Sequence, residues 1–292
     1  MRVGLQVYTV RNSFGKNQMG TLDKIADAGY KYIEMANGFA ATDDGTGFQT
    51  NLAQFKAKLK ERGLTLLGSH VSQMEGNELA VVSYDRWNRI AEWYAEADAK
   101  YLAPALEFHL SRDDLLKNCD RYTQISEICK KHGLKMLYHN HFYELQEFDG
   151  KSMFDIILEN TPADNFLLEV DTFWVMRGLV DPGQFIRKYG DRIEVIHQKD
   201  YTLETVNDLN VWNFVDRNSS VDAVAFFKTV PNPEQCTEIG DGMMKIQDII
   251  NAGNEKKIPY ILVEQDHSQL DDISSIKKSM AAFKRMTGLA WD

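Results

Sequence analysis

The chain has 292 residues, a length ordinary for one α/β barrel, which favours a single domain spanning 1–292 over two smaller ones. Apolar residues at 43% and charged residues at 26% describe a globular protein able to bury a sizeable core. A formal net charge of −10 with no dense Lys/Arg run argues against nucleic acid and against an anionic membrane surface as partners.

In chain order, short β-branched or aromatic runs recur at Val3–Tyr8, Lys31–Met35, Leu64–His70, Lys100–Ala105, Leu134–His139, Phe166–Asp171, Ile193–His197 and Tyr260–Glu264. Amphipathic stretches of helical period separate them, at Thr21–Ala28, Leu52–Arg62, Tyr84–Asp98, Leu115–Lys130, Phe154–Glu159, Met244–Ala252 and Ile276–Met286. Gly29, Gly63 and Gly133 each follow a small or basic last turn, where a helix C-cap requires glycine. Asp181-Pro182 joins an N-cap residue to Pro at the first helical position, so a further helix starts there. Eight strands alternating with helices predict a parallel sheet, and eight such units close into a (β/α)8 TIM barrel.

One long loop insertion, at about 201–236, breaks the rhythm and carries Trp212, Phe214, Phe226 and Phe227 among polar residues. Loops at that end of a barrel build the active site, so the insertion is expected to be a lid or substrate wall, or else a subunit contact. A homodimer is the default expectation for such a barrel. Cys119, Cys129 and Cys236 are widely spaced with no C-x-x-C, which predicts reduced, structural thiols and a cytoplasmic location. Met1–Val10 reads as a strand and not a signal peptide, and no window is apolar enough to span a bilayer. A periplasmic location would require an export signal trimmed from ahead of Met1.

Chemistry in this fold sits where strands end at the C-terminal face. The predicted strand ends carry Glu34, His70, Glu107 with His109, His139-Asn140-His141 with Glu144, Glu169 with Asp171, His197 with Lys199 and Asp200, and Glu264 with Asp266 and His267. Six of the seven histidines fall there, His132 alone closing a helix. Singly, each residue reads as a cap, a loop group or a satisfied buried ion. Together, acidic groups converging from several strands would repel and protonate unless a cation neutralised them. One divalent metal is therefore expected, Mn2+ or Mg2+ first, with Co2+ or Zn2+ as alternatives for a carboxylate–imidazole set.

The stretches Tyr138-His139-Asn140-His141 with Glu144, Asp171-Thr172-Phe173-Trp174 running to Asp181-Pro182, His197-Gln198-Lys199-Asp200, Glu238-Ile239-Gly240-Asp241-Gly242 and Val263-Glu264-Gln265-Asp266 resemble the xylose isomerase-like TIM-barrel superfamily. Within it they are similar to the bacterial sugar phosphate isomerase/epimerase branch, whose relatives include tagatose 3-epimerase and inosose dehydratase. The resemblance covers nearly the whole chain. It implies four metal ligands, Glu, Asp, His and Glu, at the ends of strands five to eight, of which Asp171, His197 and Glu264 carry over directly. The strand-five ligand departs from the pattern: Glu144 is the nearest carboxylate and takes the fourth place, with His139 or His141 as alternatives. Trp174 stands where the abasic-site endonucleases of the superfamily have a metal-binding His, which argues against nuclease activity and offers an apolar face to a sugar ring.

The resemblance further implies proton abstraction beside the carbonyl of a sugar or keto-sugar, through an enediolate, by an isomerase/epimerase of carbohydrate metabolism. Glu264 and Glu144 would act as base from the metal, His141 as a further acid/base, and Lys199 would neutralise oxyanion charge. Glu34, His70, His139 and Trp174 would bind the substrate. The alternative enzyme is a lyase or dehydratase eliminating from a keto-sugar or keto-glycoside; the alternative of another class is a non-catalytic sugar-binding barrel. No glycine-rich loop with a basic cluster marks a phosphate site.

Overall fold

In a computed structural model, the chain is described over residues 1–36, 51–71, 74–75, 78–79, 83–202 and 209–291. Eight parallel strands form a closed barrel: β1 (Arg2–Gln6), β2 (Tyr32–Ala36), β3 (Thr65–Val71), β4 (Tyr101–Pro104), β5 (Lys135–His139), β6 (Phe166–Asp171), β7 (Ile193–Gln198) and β8 (Tyr260–Val263). Closure comes from β1 pairing with β8, Arg2 opposite Tyr260 and Leu5 opposite Val263. This is the (β/α)8 TIM barrel that the alternation predicts. The first strand is shorter than expected, because the Gln6 side chain accepts from the Tyr8 backbone N–H and turns Val7–Val10 into a 3-10 turn leading to a helix at Arg11–Lys16. Gly29, Gly63 and Gly133 all have positive φ, the conformation their helix-ending positions demand. Asp181 caps the Gln184 N–H at 2.8 Å ahead of Pro182, as its sequence foretells.

The strand period of two sorts the barrel interior into layers. Leu67, Tyr101, Leu137, Val195 and Leu262 fill its lower half with apolar side chains. Two residues further along their strands, Leu137 gives way to His139, Val195 to His197 and Leu262 to Glu264, so the upper half becomes polar. Between barrel and helices runs the main apolar core, which includes Trp87, Ile90, Ala91 and Tyr94 of the Tyr84–Glu96 helix. Cys119, Cys129 and Cys236 are free and buried. Among the described residues no helix is long and apolar enough to cross a membrane.

The insertion after β7 has its own small core. Two-residue strands Asp200–Tyr201 and Cys236–Thr237 pair antiparallel and close its base. Leu209, Val211, Val221 and Phe226 pack onto Phe142 and Tyr143 just after β5 and onto Phe173 and Trp174 in the short helix Thr172–Arg177 after β6, so the insertion walls the C-terminal mouth on that side. Residues 203–208 of the insertion lie outside the described residues. Arg177, 1% exposed, ties the wall down by donating from Nε to the Leu209 carbonyl at 2.8 Å and from Nη1 to that of Thr229.

Asp200 organises the G-x-G turn that follows. Its carboxylate accepts the backbone N–H groups of Tyr201, Gly240, Gly242 and Met244 at 2.9–3.2 Å. A Cβ at Gly242 would stand 2.2 Å from both Asp200 Oδ1 and the Tyr201 carbonyl, a clash with backbone that no rotamer relieves. Gly242→Ala is therefore expected to cost about 1–3 kcal/mol in thermal denaturation. Gly15→Ala, with nothing within 4 Å of the new methyl, should be neutral or slightly stabilising.

Candidate metal centre

Register places the polar residues side by side. His139 lies opposite Glu169 across β5 and β6, Asp171 opposite His197 across β6 and β7, and Gln6 opposite Glu34 across β1 and β2. His139, Asp171 and Glu264 each offer one atom within 4.8 Å of the others. His197 joins them through Nδ1, 3.0 Å from Glu264 Oε2. Lys199 lies alongside, Nζ being 3.2 Å from Asp171 Oδ2, 3.3 Å from Glu264 Oε2 and 3.0 Å from Asp266 Oδ2.

A second polar layer lies beneath. His197 Nε2 is 2.7 Å from Glu34 Oε2, His139 Nδ1 is 3.1 Å from Glu169 Oε1, and His70 Nε2 is 2.5 Å from that same Glu169 oxygen. Glu34 and Glu169 are both 0% exposed. Glu169 appears in the sequence among the strand-end residues without a role; its spacing of two from Asp171 is the signal that puts both on the inward face. Asn140, also without a sequence-based role, locks the β5 end to β6 by accepting the Asp171 N–H at 3.0 Å and donating to the Asp171 carbonyl at 3.3 Å.

Electrostatics follow from burial against charge. Burial alone would lower the Lys199 pKa, but Asp171, Asp266 and Glu264 outweigh it and hold the ammonium protonated. Burial would raise the Glu264 pKa, yet Lys199 and His197 pull it well below the ordinary carboxylate value. Burial keeps Asp171 raised, with Lys199 offsetting only part of the effect. Burial, reinforced by the charge of Glu169, raises Glu34.

The other sequence candidates lie apart from this group. The Glu144 carboxylate is turned behind β5, where it accepts the Tyr138 hydroxyl at 2.8 Å and the His141 backbone N–H at 3.0 Å. Tyr138 also meets His109 Nε2 at 2.9 Å, and Asn118 donates to His109 Nδ1 at 2.9 Å, so a buried chain runs from helix Arg112–Lys131 to Glu144. The structure thus does not bring Glu144 to Asp171, His197 and Glu264, because Tyr143–Leu145 forms a 3-10 turn that ends the strand pleat. His141 lies nearer, its ring 5.1 Å from His139, wedged between Trp174 and Phe226. Burial pushes its pKa well down, leaving a neutral imidazole. Trp174 is 3% exposed, with Arg177 over its ring at 5.0 Å and Phe226 at 5.5 Å, so it backs the wall of the mouth instead of presenting an open face.

Burial raises the Glu144 pKa to about 8. A carboxyl that binds its proton more tightly folded than unfolded stabilises the fold fully at pH below about 4.3, and that contribution is lost as pH rises to about 8. The excess Tm of the protein over Glu144→Gln should therefore shrink between these pH values and level off above them. Thermal scans across pH check this, and an excess that grows through the window would refute it.

The donors suit a divalent cation. Two carboxylates and two imidazoles from β5 to β8 make a mixed oxygen–nitrogen set. Asp171 Oδ2 is buried and takes no hydrogen bond, although the Lys199 ammonium stands 3.2 Å away, and Glu34 Oε1 and Glu169 Oε2 likewise take none. Carboxylates buried at this density call for counter-charge. Lys199 and the imidazoles of His197 and His70, whose pKa values the carboxylates raise against the effect of burial, supply it here, and a divalent ion would supply it where the imidazoles give up a hydrogen to bind it.

With fold and site together, the class is clear: a TIM barrel with a polar, metal-competent mouth. The chain belongs to the xylose isomerase-like TIM barrel family, whose model matches residues 22–286. Inosose dehydratase of Geobacillus kaustophilus (strain HTA426) is 26% identical over 189 residues, or 57% of this chain, and the match spans 60% of that relative's length. A sugar phosphate isomerase/epimerase from Parabacteroides distasonis ATCC 8503 superposes with a TM-score of 0.76 at 21% identity, covering 99% of this chain and 95% of that one. The IOLI protein with a binding zinc atom gives a TM-score of 0.69 at 14% identity, covering 98% and 97% of the two chains. At such identities these two structures speak to the fold alone.

Proposed function

We propose that this protein is a divalent-metal-dependent isomerase/epimerase that removes a proton beside the carbonyl of a small, unphosphorylated sugar. The observation that carries the reading is the meeting of His139, Asp171, His197 and Glu264 at the barrel mouth with Lys199 among them. His139 takes the strand-five place in this set. A bound divalent ion would supply Lewis acidity, polarising the carbonyl and offsetting charge that develops on its oxygen. The zinc of the IOLI structure supports an ion here, and Mn2+ or Mg2+ suits the carboxylates equally.

The chain's own groups divide the remaining work. Glu264, held anionic by Lys199 and His197, accepts the proton at a carboxylate oxygen. Lys199 Nζ donates toward the developing oxyanion. His141, neutral in its aromatic niche, exchanges the proton on the other side. The wall made by Trp174, Phe226 and Phe142 keeps bulk water from that side.

The substrate class follows from charge. Among the described residues at the donors the basic group is Lys199, already engaged by three carboxylates. The stretches 37–50, 72–82 and 203–208, which follow β2, β3 and β7 in the chain, contain no Lys or Arg. A phosphate would meet net repulsion.

A second reading, loss of water or an alcohol after the same proton abstraction, is favoured by the dehydratase relative. Incubation with keto-sugars in D2O separates the two. Deuterium at the α-carbon without loss of a group supports isomerisation or epimerisation, and an unsaturated product supports elimination. A protein that neither binds nor is stabilised by Mn2+ would instead be a non-catalytic sugar-binding barrel.

A further inference from the structure

We propose that Glu34 and Glu169 form a buried carboxylate floor beneath the metal position, each gripping the far nitrogen of one imidazole ligand so that the near nitrogen turns its lone pair to the ion. This rests on the reading that His139, Asp171, His197 and Glu264 hold one divalent cation. An imidazole that ligates an ion has one N–H and one lone pair, and the nitrogen that meets a carboxylate on the side away from the ion keeps the hydrogen. For His197 both nitrogens face carboxylates, Nε2 at 2.7 Å from Glu34 Oε2 and Nδ1 at 3.0 Å from Glu264 Oε2. Because Glu264 is itself one of the four donors, a bound ion would displace the hydrogen on Nδ1 and leave the one on Nε2 with Glu34. For His139 the nitrogen that keeps its hydrogen is Nδ1, 3.1 Å from Glu169 Oε1, which frees Nε2. Two histidines thus present opposite nitrogens to one ion, each set by its own carboxylate.

His70 locks the floor together. Its Nε2 is 2.5 Å from Glu169 Oε1 and 3.8 Å from Glu34 Oε1, and its ring stacks 5.2 Å from that of His197. Glu34 and Glu169 are wholly buried under the imidazoles, so they reach a substrate only through them. Both are positioning residues, and the sugar-binding role that the sequence suggests for Glu34 passes to the groups above.

The same geometry argues for a single ion. His70, His139, Glu169 and His197 also lie within 4.8 Å of one another, a grouping that a second cation could use. Filling it alongside the first would strip the N–H from His139 and His197 and make both bridging imidazolates. Retaining each N–H on a carboxylate forbids this. One ion per chain is the consequence.

The test is Co2+ binding to the metal-stripped full chain, by chelator competition with the visible spectrum recorded. The unaltered protein should bind one Co2+. Glu34→Gln and Glu169→Gln, isosteric and uncharged, should each bind it about 10–100-fold more weakly with an altered ligand-field spectrum. Glu107→Gln removes another buried carboxylate, one that pairs with Arg121 at 2.7 Å; it should lower Tm and leave Co2+ affinity unchanged. Independently of any variant's folding, 15N NMR of the Zn2+-loaded protein should show the Nε2–H form of His197 and the Nδ1–H form of His139. Affinities within twofold of the unaltered protein, two ions per chain, or the opposite tautomers would overturn the proposal. No divalent binding by the unaltered protein would overturn the reading beneath it as well.

Discussion

Replacing Glu264 by Gln is expected to abolish α-proton exchange with D2O, by about 10³-fold or more, without unfolding the barrel. Three physical effects act together. The residue is the proposed base, it is one of two carboxylates at the proposed ion, and it is one of three anions that hold Lys199 charged. Gln keeps the volume, and its amide nitrogen can donate to the His197 Nδ1 lone pair, so the 3.0 Å contact can survive as a neutral hydrogen bond. The loss should therefore be chemical rather than structural, visible as lost exchange and lost Mn2+ affinity with Tm little changed. A Glu264→Gln variant exchanging at full rate would sink the assignment.

The second large effect concerns the end of β5. His139→Asn should weaken Mn2+ or Zn2+ binding by about 100-fold or more, because it removes a ligand and leaves Glu169 Oε1 held by His70 without the His139 Nδ1 contact. Glu144→Gln should change the same affinity by less than about threefold, since its carboxylate serves the Tyr138 hydroxyl and the His141 N–H. Isothermal titration of both variants decides between the two residues. A Glu144→Gln variant that loses the metal while His139→Asn retains it would return the strand-five place to Glu144.

The behaviour of β5 also shows how far a sequence can be read. His139 is two residues beyond Leu137, which points into the barrel, so pleat parity alone turns His139 inward. Parity ends where the strand does. His141 and Glu144 lie in a loop and a 3-10 turn, and nothing local says that Tyr138, from the opposite face of the same strand, would claim Glu144. A carboxylate a few residues past a strand end is therefore ambiguous between ligand and strut. Trp174 illustrates the same gap, because whether its ring is open or covered depends on Phe226, more than fifty residues away, and on Arg177.

Sequence by itself determined the barrel, because hydrophobic period and cap residues are local properties that repeat eight times. It also determined that acids and histidines crowd the strand ends, with Asp171, His197 and Glu264 among them. Only the tertiary structure decided which of those groups meet. Barrel closure and strand register set His139 beside Glu169 and Asp171 beside His197, and bring Glu34 from β2 under an imidazole from β7. Contacts between residues 163 positions apart, like that of Glu34 with His197, depend on the shear of the whole sheet, which no window of sequence encodes.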